Sequence, residues 1–219
     1  MNQTFVLNHG DVNLRLVRVR DAKKLERLIL GNREWLRPWE ATNPYGPNSF
    51  NIRGQVKALL KQLRHDQGFP FVIEYRGEVV GQLNVSNVVF GSLSSAFVGY
   101  WIAPNFAGKE ITPTAVALAI DYLFNIVGLH RVEIDIRPEN TASLRIVEKL
   151  GLRYEGLKER FIHINGGRLC ATTRRCVAMK LDSHQTTHAP RQLDVLWHDG
   201  DTLGVDGAQV GVLEEGDEV

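Results

Sequence analysis

Residues 95–137, "SAFVGYWIAPNFAGKEITPTAVALAIDYLFNIVGLHRVEIDIR", constrain the chain more than any other stretch. An apolar run over 95–103 reads as a strand and enters a loop containing Gly108. Val116, Ile120, Leu123, Phe124 and Val127 then recur at helical spacing, and 130–137 reads as a second strand. A helix with that apolar stripe must lie against a sheet, which excludes an all-α or all-β solution.

The flanking segments extend the pattern. Residues 12–20, "VNLRLVRVR", alternate apolar and polar as a half-buried strand does. Asp21 is placed to cap a short helix carrying Leu25, Leu28 and Ile29. A loop rich in proline and aromatics follows, then a helix over about 51–66. Residues 70–88 read as two strands around a turn at Arg76-Gly77. "PENTASLRIVEKLGL" offers an Asn140 cap, a helix to Leu150 and a Gly151 stop. Strands over about 153–163 and 168–180 complete an α/β arrangement with a mixed sheet, one domain over 1–182.

With 43% hydrophobic and 23% charged residues, the chain has the composition of an ordinary soluble globular protein. Its start, "MNQTFVLNHGD", lacks the basic and apolar runs of a signal peptide, and the most apolar helix is broken by Asp121 and Asn125. The cytoplasm is the expected location. Two thiols, Cys170 and Cys176, are too few for a disulfide framework or metal cluster and read as packing residues. The net charge of +1 hides an asymmetry. Residues 183–219 hold eight acids and one base, which leaves 25 bases and 17 acids for the body. That acidic, Gly-rich tail reads as disordered; the alternative is a hairpin using Val195, Leu196, Trp197, Leu203 and Val205.

A strand passing through a glycine loop into a helix aims unpaired backbone N–H groups and the helix dipole at one spot, which suits a phosphate. Thr112 suits an N-cap and Pro113 the first helical position. Glu110 works against an anion here unless its carboxylate turns out to water. At the other helix start, Asn140 and Ser143 stand three residues apart, and a hydroxyl at Ser143 could give a proton to a leaving thiolate.

At these residues the chain resembles the GCN5-related N-acetyltransferase (GNAT) superfamily, and within it the RimJ/RimL group of protein N-terminal acetyltransferases. The matching pieces are "NREWLRPWE", "VGYWIAPNFAGKEIT", "GLHRVEIDIRPENTASLRIVEKLGL" and "EGLKERFIHINGGR", in fold order over roughly 10–181. The resemblance implies a strongly bent mixed sheet whose two central strands splay apart, flanked by helices, with acetyl-CoA in the gap and no metal. It implies that the backbones of Tyr100 and Ile102 pair with the pantetheine arm and that Gly108, Lys109, Glu110, Ile111 and Thr112 wrap the diphosphate. Asn140 would hold the pantetheine chain and Ser143 would protonate the thiolate, since Val147 stands where some members carry a tyrosine acid.

Two departures bear on chemistry. The superfamily loop has three fixed positions, here Ala107, Glu110 and Thr112, and this implies altered diphosphate binding. Some relatives carry a glutamate base where this chain has Ile162; Glu159, Glu74 or a water chain are the alternatives. Trp35, Trp39 and Tyr45 lie in the segment that walls the acceptor cleft in the RimJ/RimL group, with Glu74 a further acceptor-side candidate. The implied acceptor is a protein N-terminal amine beginning with alanine or serine, a ribosomal protein among the candidates. A small amine or antibiotic, and a module that binds acyl-CoA without turnover, stay open, as does a homodimer; no membrane partner is expected, and no stacking-aromatic motif supports an RNA-binding module.

Overall fold

The computed structural model describes residues 4–43, 45, 50–164, 167–177 and 211–213, with side chains described for 5–43, 45 and 50–164. One sheet runs through the molecule. Its strands are β1 (Thr4–His9), β2 (Val12–Leu16), β3 (Phe69–Tyr75), β4 (Glu78–Val89), β5 (Ser95–Ile102), β6 (Arg131–Ile136), β7 (Arg153–Ile164), β8 (Gly167–Val177) and β9 (Gly211–Leu213). The spatial order is β7-β8-β6-β5-β4-β3-β2-β1-β9. All neighbours are antiparallel except β5 and β6. The sheet is therefore mixed, as the alternation of strand and helix patterns requires.

Helices α1 (Ala22–Gly31), α2 (Arg33–Leu36), α3 (Ile52–Leu63), α4 (Ile111–Asn125) and α5 (Thr141–Lys149) complete the fold. The helix α4 is buried over most of its surface, and its Ile111, Ala115, Val116, Leu118, Ala119 and Leu123 join a core with Leu14, Phe71, Ile73, Leu83, Val98 and Ile134. Tyr122 pins it across the strands, its ring centroid 4.6 Å from Phe5, 5.6 Å from Phe69 and 6.0 Å from Phe71. A second core, Val17, Leu25, Ile52, Val56, Val72 and Val79, seats α1 and α3 on the opposite sheet face. Burying each such side chain contributes roughly 1.5–3 kcal/mol. Among the described residues no helix is long and apolar enough to cross a membrane.

Three local expectations are revised. The helix after the glycine loop starts at Ile111, with Glu110 as its N-cap in the left-handed region at φ 60°, so Thr112 and Pro113 lie inside the first turn. Asp21 occupies the N-cap position of α1 but makes no capping bond; its carboxylate accepts from Arg15 and from the Arg18 backbone N–H. The start of the chain, read only for targeting signals, supplies β1, and part of the Pro-rich loop forms α2 and a 3-10 turn over Arg37–Trp39. The turn between β3 and β4 is where the residues place it, with Arg76 at φ 51° and Gly77 at φ 79°. The 195–205 hairpin lies outside the described residues, as do the side chains of Cys170 and Cys176. Of 183–219, Gly211–Leu213 pairs with β1 at the sheet edge.

Candidate active site

The cleft begins where β5 and β6 part. The two strands pair at Ser95 with Arg131, Ala96 with Val132 and Phe97 with Glu133, and the ladder stops there. Among the described residues the edge of β5 past Phe97 has no strand partner, while its other edge stays paired with β4 through Ile102. Backbone groups alternate sides along a strand. The Ala103 N–H donates to Val80 on the β4 side at 2.9 Å. A Cβ on Gly81 would fall 2.3 Å from the Trp101 carbonyl oxygen, which places Trp101 on that side too and explains the glycine. Tyr100 and Ile102 therefore turn their N–H and C=O into the gap. The indole Nε1 of Trp35 confirms this for Ile102, donating to its carbonyl at 3.1 Å.

The gap opens into a cleft of about 580 Å³ that passes through the sheet. On the α4 side, Asn140 caps α5 by accepting from the Ser143 N–H at 3.1 Å, which fixes the first turn. Ser143 Oγ then meets the Tyr100 hydroxyl at 2.8 Å. Burial pushes the Tyr100 phenol up to about 12 even though the Ser143 bond pulls the other way. The phenol stays protonated across the physiological range, and Val147, fully buried, offers no hydroxyl of its own.

At the cleft's far end, Gly108 at φ 73° and Glu110 at φ 60° bend the chain into α4. The Ile111 and Thr112 N–H groups lie in the first turn, where a helix has no partner of its own for them. Glu110 sends its exposed carboxylate sideways into an ion pair with Lys149 at the end of α5. Lys109 is exposed, its ammonium 5.6 Å from the Phe106 ring centre. Arg145 and Lys149 add two cations to the cleft wall.

On the other sheet face, Gln82 and Asn84 of β4 line the cleft, the Gln82 amide donating to Asn84 Oδ1 at 3.1 Å. Trp35, Trp39 and Glu40 form its roof. Three ties hold this roof. Trp35 bonds to β5; Arg137 donates to the Pro38 carbonyl at 2.6 Å and stacks 5.3 Å from the Trp39 ring; Thr42 N–H donates to the His163 carbonyl at 2.8 Å.

Of the residues singled out in the sequence, Trp35, Trp39, Tyr100, Ile102, Gly108, Glu110, Thr112, Asn140 and Ser143 converge on this cleft. The Ile111 side chain belongs to the core. Tyr45 is exposed and does not line the cleft. Glu74 is taken up elsewhere: with Asp21 it clamps Arg15, at 2.8 Å in each pair. Glu159 is exposed on β7, beside Arg160 at φ 50° where the register with β8 slips. Neither lines the cleft. Sequence reading missed Gln82, Asn84, Arg137, Arg145 and Lys149; two amides two residues apart inside an apolar strand were the readable signal for the first pair.

A family model described as acetyltransferase (GNAT) domain matches residues 11–153. Among curated proteins, the probable N-acetyltransferase YjcK of Bacillus subtilis is 29% identical over 166 residues, 74% of this chain and 91% of its own. The [ribosomal protein uS5]-alanine N-acetyltransferase of Escherichia coli is 30% identical over 161 residues, 70% of this chain and 80% of its own. Among solved structures, Mycobacterium smegmatis RimJ in complex with CoA-disulfide superposes with a TM-score of 0.74 at 35% identity, covering 83% of this chain and 90% of that one. By the match of the family model and the likeness to these relatives, the chain belongs to the GNAT family of N-acetyltransferases, of RimJ-like type.

Proposed function

We propose that the chain transfers the acetyl group of acetyl-CoA to the N-terminal α-amine of a protein, an alanine or serine terminus of a ribosomal protein being the favoured acceptor. The observation that carries this reading is the open β5 edge at Tyr100 and Ile102 between two unlike walls. The α4–α5 wall offers backbone amides, Arg145 and Lys149 to a diphosphate; the opposite wall offers Trp35, Trp39, Gln82 and Asn84 to an extended peptide.

The acceptor nitrogen attacks the thioester carbon and its electron pair moves to the carbonyl oxygen, which the Ile102 N–H stabilises; a donor of this kind contributes roughly 3 kcal/mol. The tetrahedral species collapses, the C–S bond breaks, and the thiolate takes the Ser143 proton, with the Tyr100 phenol replacing it and then regaining its own proton from solvent through the open cleft. Asn140 holds Ser143 in place and leaves its amide NH2 for the pantetheine chain. Glu40, paired with Arg33 but still lining the cleft, is the carboxylate on the acceptor side and receives the amine's proton through water. An α-amine has a pKa of about 8 against about 10.4 for lysine, so a weakly basic site serves it better.

Curated relatives named as [ribosomal protein uS5]-alanine N-acetyltransferases support this acceptor class. The test is CoA release with acetyl-CoA and a panel of alanine-starting and serine-starting ribosomal-protein peptides, against spermidine, an aminoglycoside and an Nα-blocked lysine peptide. Turnover confined to free α-amines is expected. Preference for spermidine or the aminoglycoside replaces this reading with a small-amine one, and tight acetyl-CoA binding without turnover replaces it with a non-catalytic one.

A further inference from the structure

The helix pair α1–α3 has two unlike edges. One edge lines the cleft, through Ile29 of α1 and Gln55 of α3. The other carries cations. On α3, Arg53, Lys57, Lys61 and Arg64 recur at helical spacing and are exposed. At roughly 100° per residue they span about 80° of the helix surface, with Gln55 on the opposite side. On α1 and the turn before it, Arg20, Lys23 and Arg27 form a second exposed stripe, again turned away from Ile29. Arg27 and Arg64 bond only to carbonyls of their own helices, and none of the seven has an ion pair among the described residues. Among the described residues the acids nearby are few. Asp21 is buried against Arg15, which leaves Glu26 and Asp66.

The two stripes meet at a depression of about 610 Å³. Arg20, Lys23 and Arg53 surround it, with Glu26 on the rim and the Phe50 ring, 40% exposed, in its wall. Unpaired cations at such density raise the local potential, and a partner with regularly spaced negative charge relieves it. The Phe50 ring has the Arg33 guanidinium 5.9 Å from its centre, and its exposed part adds a surface on which a base can stack among cations. Those two features together are the footprint of a single strand of nucleic acid, phosphates along the stripes and one base on Phe50.

We propose that the α1–α3 face binds single-stranded RNA. The polyanion follows from the surface alone; the choice of RNA rests on the ribosomal-protein reading, since such a terminus is met beside exposed ribosomal RNA. Because the stripes face away from Ile29 and Gln55, RNA and acceptor peptide occupy different edges of the helix pair and need not compete.

The test measures binding of a fluorescent oligouridylate by anisotropy over a range of salt, beside a DNA duplex and poly-glutamate of equal charge. Wild type is expected to bind the RNA most tightly. The Lys57→Ala/Lys61→Ala/Arg64→Ala variant should bind at least about tenfold more weakly, with a salt slope shallower by about two, or 0.7 per lost phosphate contact. Phe50→Ala should lose about tenfold for RNA with little change in slope, as stacking loss does. Acetylation of a free peptide should be unchanged in both variants, which separates this proposal from the catalytic one. Absence of salt-dependent RNA binding, equal binding by the triple variant, or tighter binding of the duplex or of poly-glutamate would each overturn it.

Discussion

The Tyr100 phenol lies 2.8 Å from the Ser143 hydroxyl, so the strand edge that opens the sheet and the first turn of α5 share one hydrogen bond. Two elements that meet nowhere else in sequence thus deliver two hydroxyls to the place where a thiolate would form. A half-buried, hydrogen-bonded pair of this kind acts as a unit, and its members should not contribute additively.

Ser143→Ala should lower kcat by about a hundredfold, within the usual range for a positioned acid, and Tyr100→Phe by about tenfold. The double variant should resemble Ser143→Ala, because the phenol acts through the serine. The acetyl-CoA KM should move little in any of them. With the phenol near 12, its neutral form persists as pH rises, so kcat should show no alkaline loss from this group until that value is approached. Additive losses in the double variant, or an alkaline limb near pH 9 removed by Tyr100→Phe, would refute the relay.

Glu110 settles a different matter. Its backbone sits in a conformation that costs a non-glycine residue about 1–2 kcal/mol, and its carboxylate is already neutralised by Lys149 on the cleft wall. Glu110→Gly should therefore raise Tm slightly and change the acetyl-CoA Kd by less than about twofold, since αL suits glycine. Lys149→Ala should weaken acetyl-CoA several-fold, through loss of a cation and release of the Glu110 charge. Adding Glu110→Gly to Lys149→Ala should restore part of that affinity. Calorimetric titration of the three variants gives the comparison; a large gain from Glu110→Gly alone would show the carboxylate pointing at the ligand.

The fold was legible wherever a local signal and tertiary packing agree. The Arg76-Gly77 turn, the Asn140 cap and the α4 stripe each met a partner that wanted the same geometry. Thr112-Pro113 shows the opposite case. It is a good helix start locally, but burial of Ile111 and the Glu110–Lys149 pair move the boundary two residues earlier. Glu74 was a reasonable acid for the site until Arg15, 59 residues away in sequence, claimed it. Partners across the sheet leave no trace in a single sequence, which is also why Tyr100 was expected to act through its backbone alone.

Trp35 lines the cleft with its ring and donates its N–H to the Ile102 carbonyl, so it would join both halves of the proposed site. Trp35→Ala should raise the acceptor KM about tenfold, the loss expected from one aromatic contact of roughly 1.4 kcal/mol. Trp35→Phe keeps a ring and removes only the donor, so its acceptor KM should stay within about threefold of wild type, given a hydrogen bond of about 0.5–1.5 kcal/mol. In both, the acetyl-CoA KM should change less than the acceptor KM. Steady-state kinetics with each substrate varied in turn provides the check, and equal effects on the two would refute an acceptor-side role.

The Asp21–Arg15–Glu74 clamp predicts how stability follows pH. Burial alone would push the Asp21 carboxyl up, but the bonds from Arg15 and from the Arg18 N–H outweigh it and hold the group below its ordinary 3.8. A carboxyl with a lowered folded value binds protons less readily folded than unfolded. Its stabilising contribution is therefore complete above the unfolded value and disappears as pH falls through the folded one. Asp21→Asn removes the charge but keeps the shape, leaving Arg15, itself 11% exposed, with Glu74 alone. A loss of about 2–3 kcal/mol near pH 7 is expected, toward the lower side of what breaking a buried pair costs because Glu74 remains. Urea unfolding at a series of pH values should show wild type and variant far apart at neutrality and converging below pH 3.8. A gap that persists unchanged into acid would mean that the asparagine disturbs packing rather than charge.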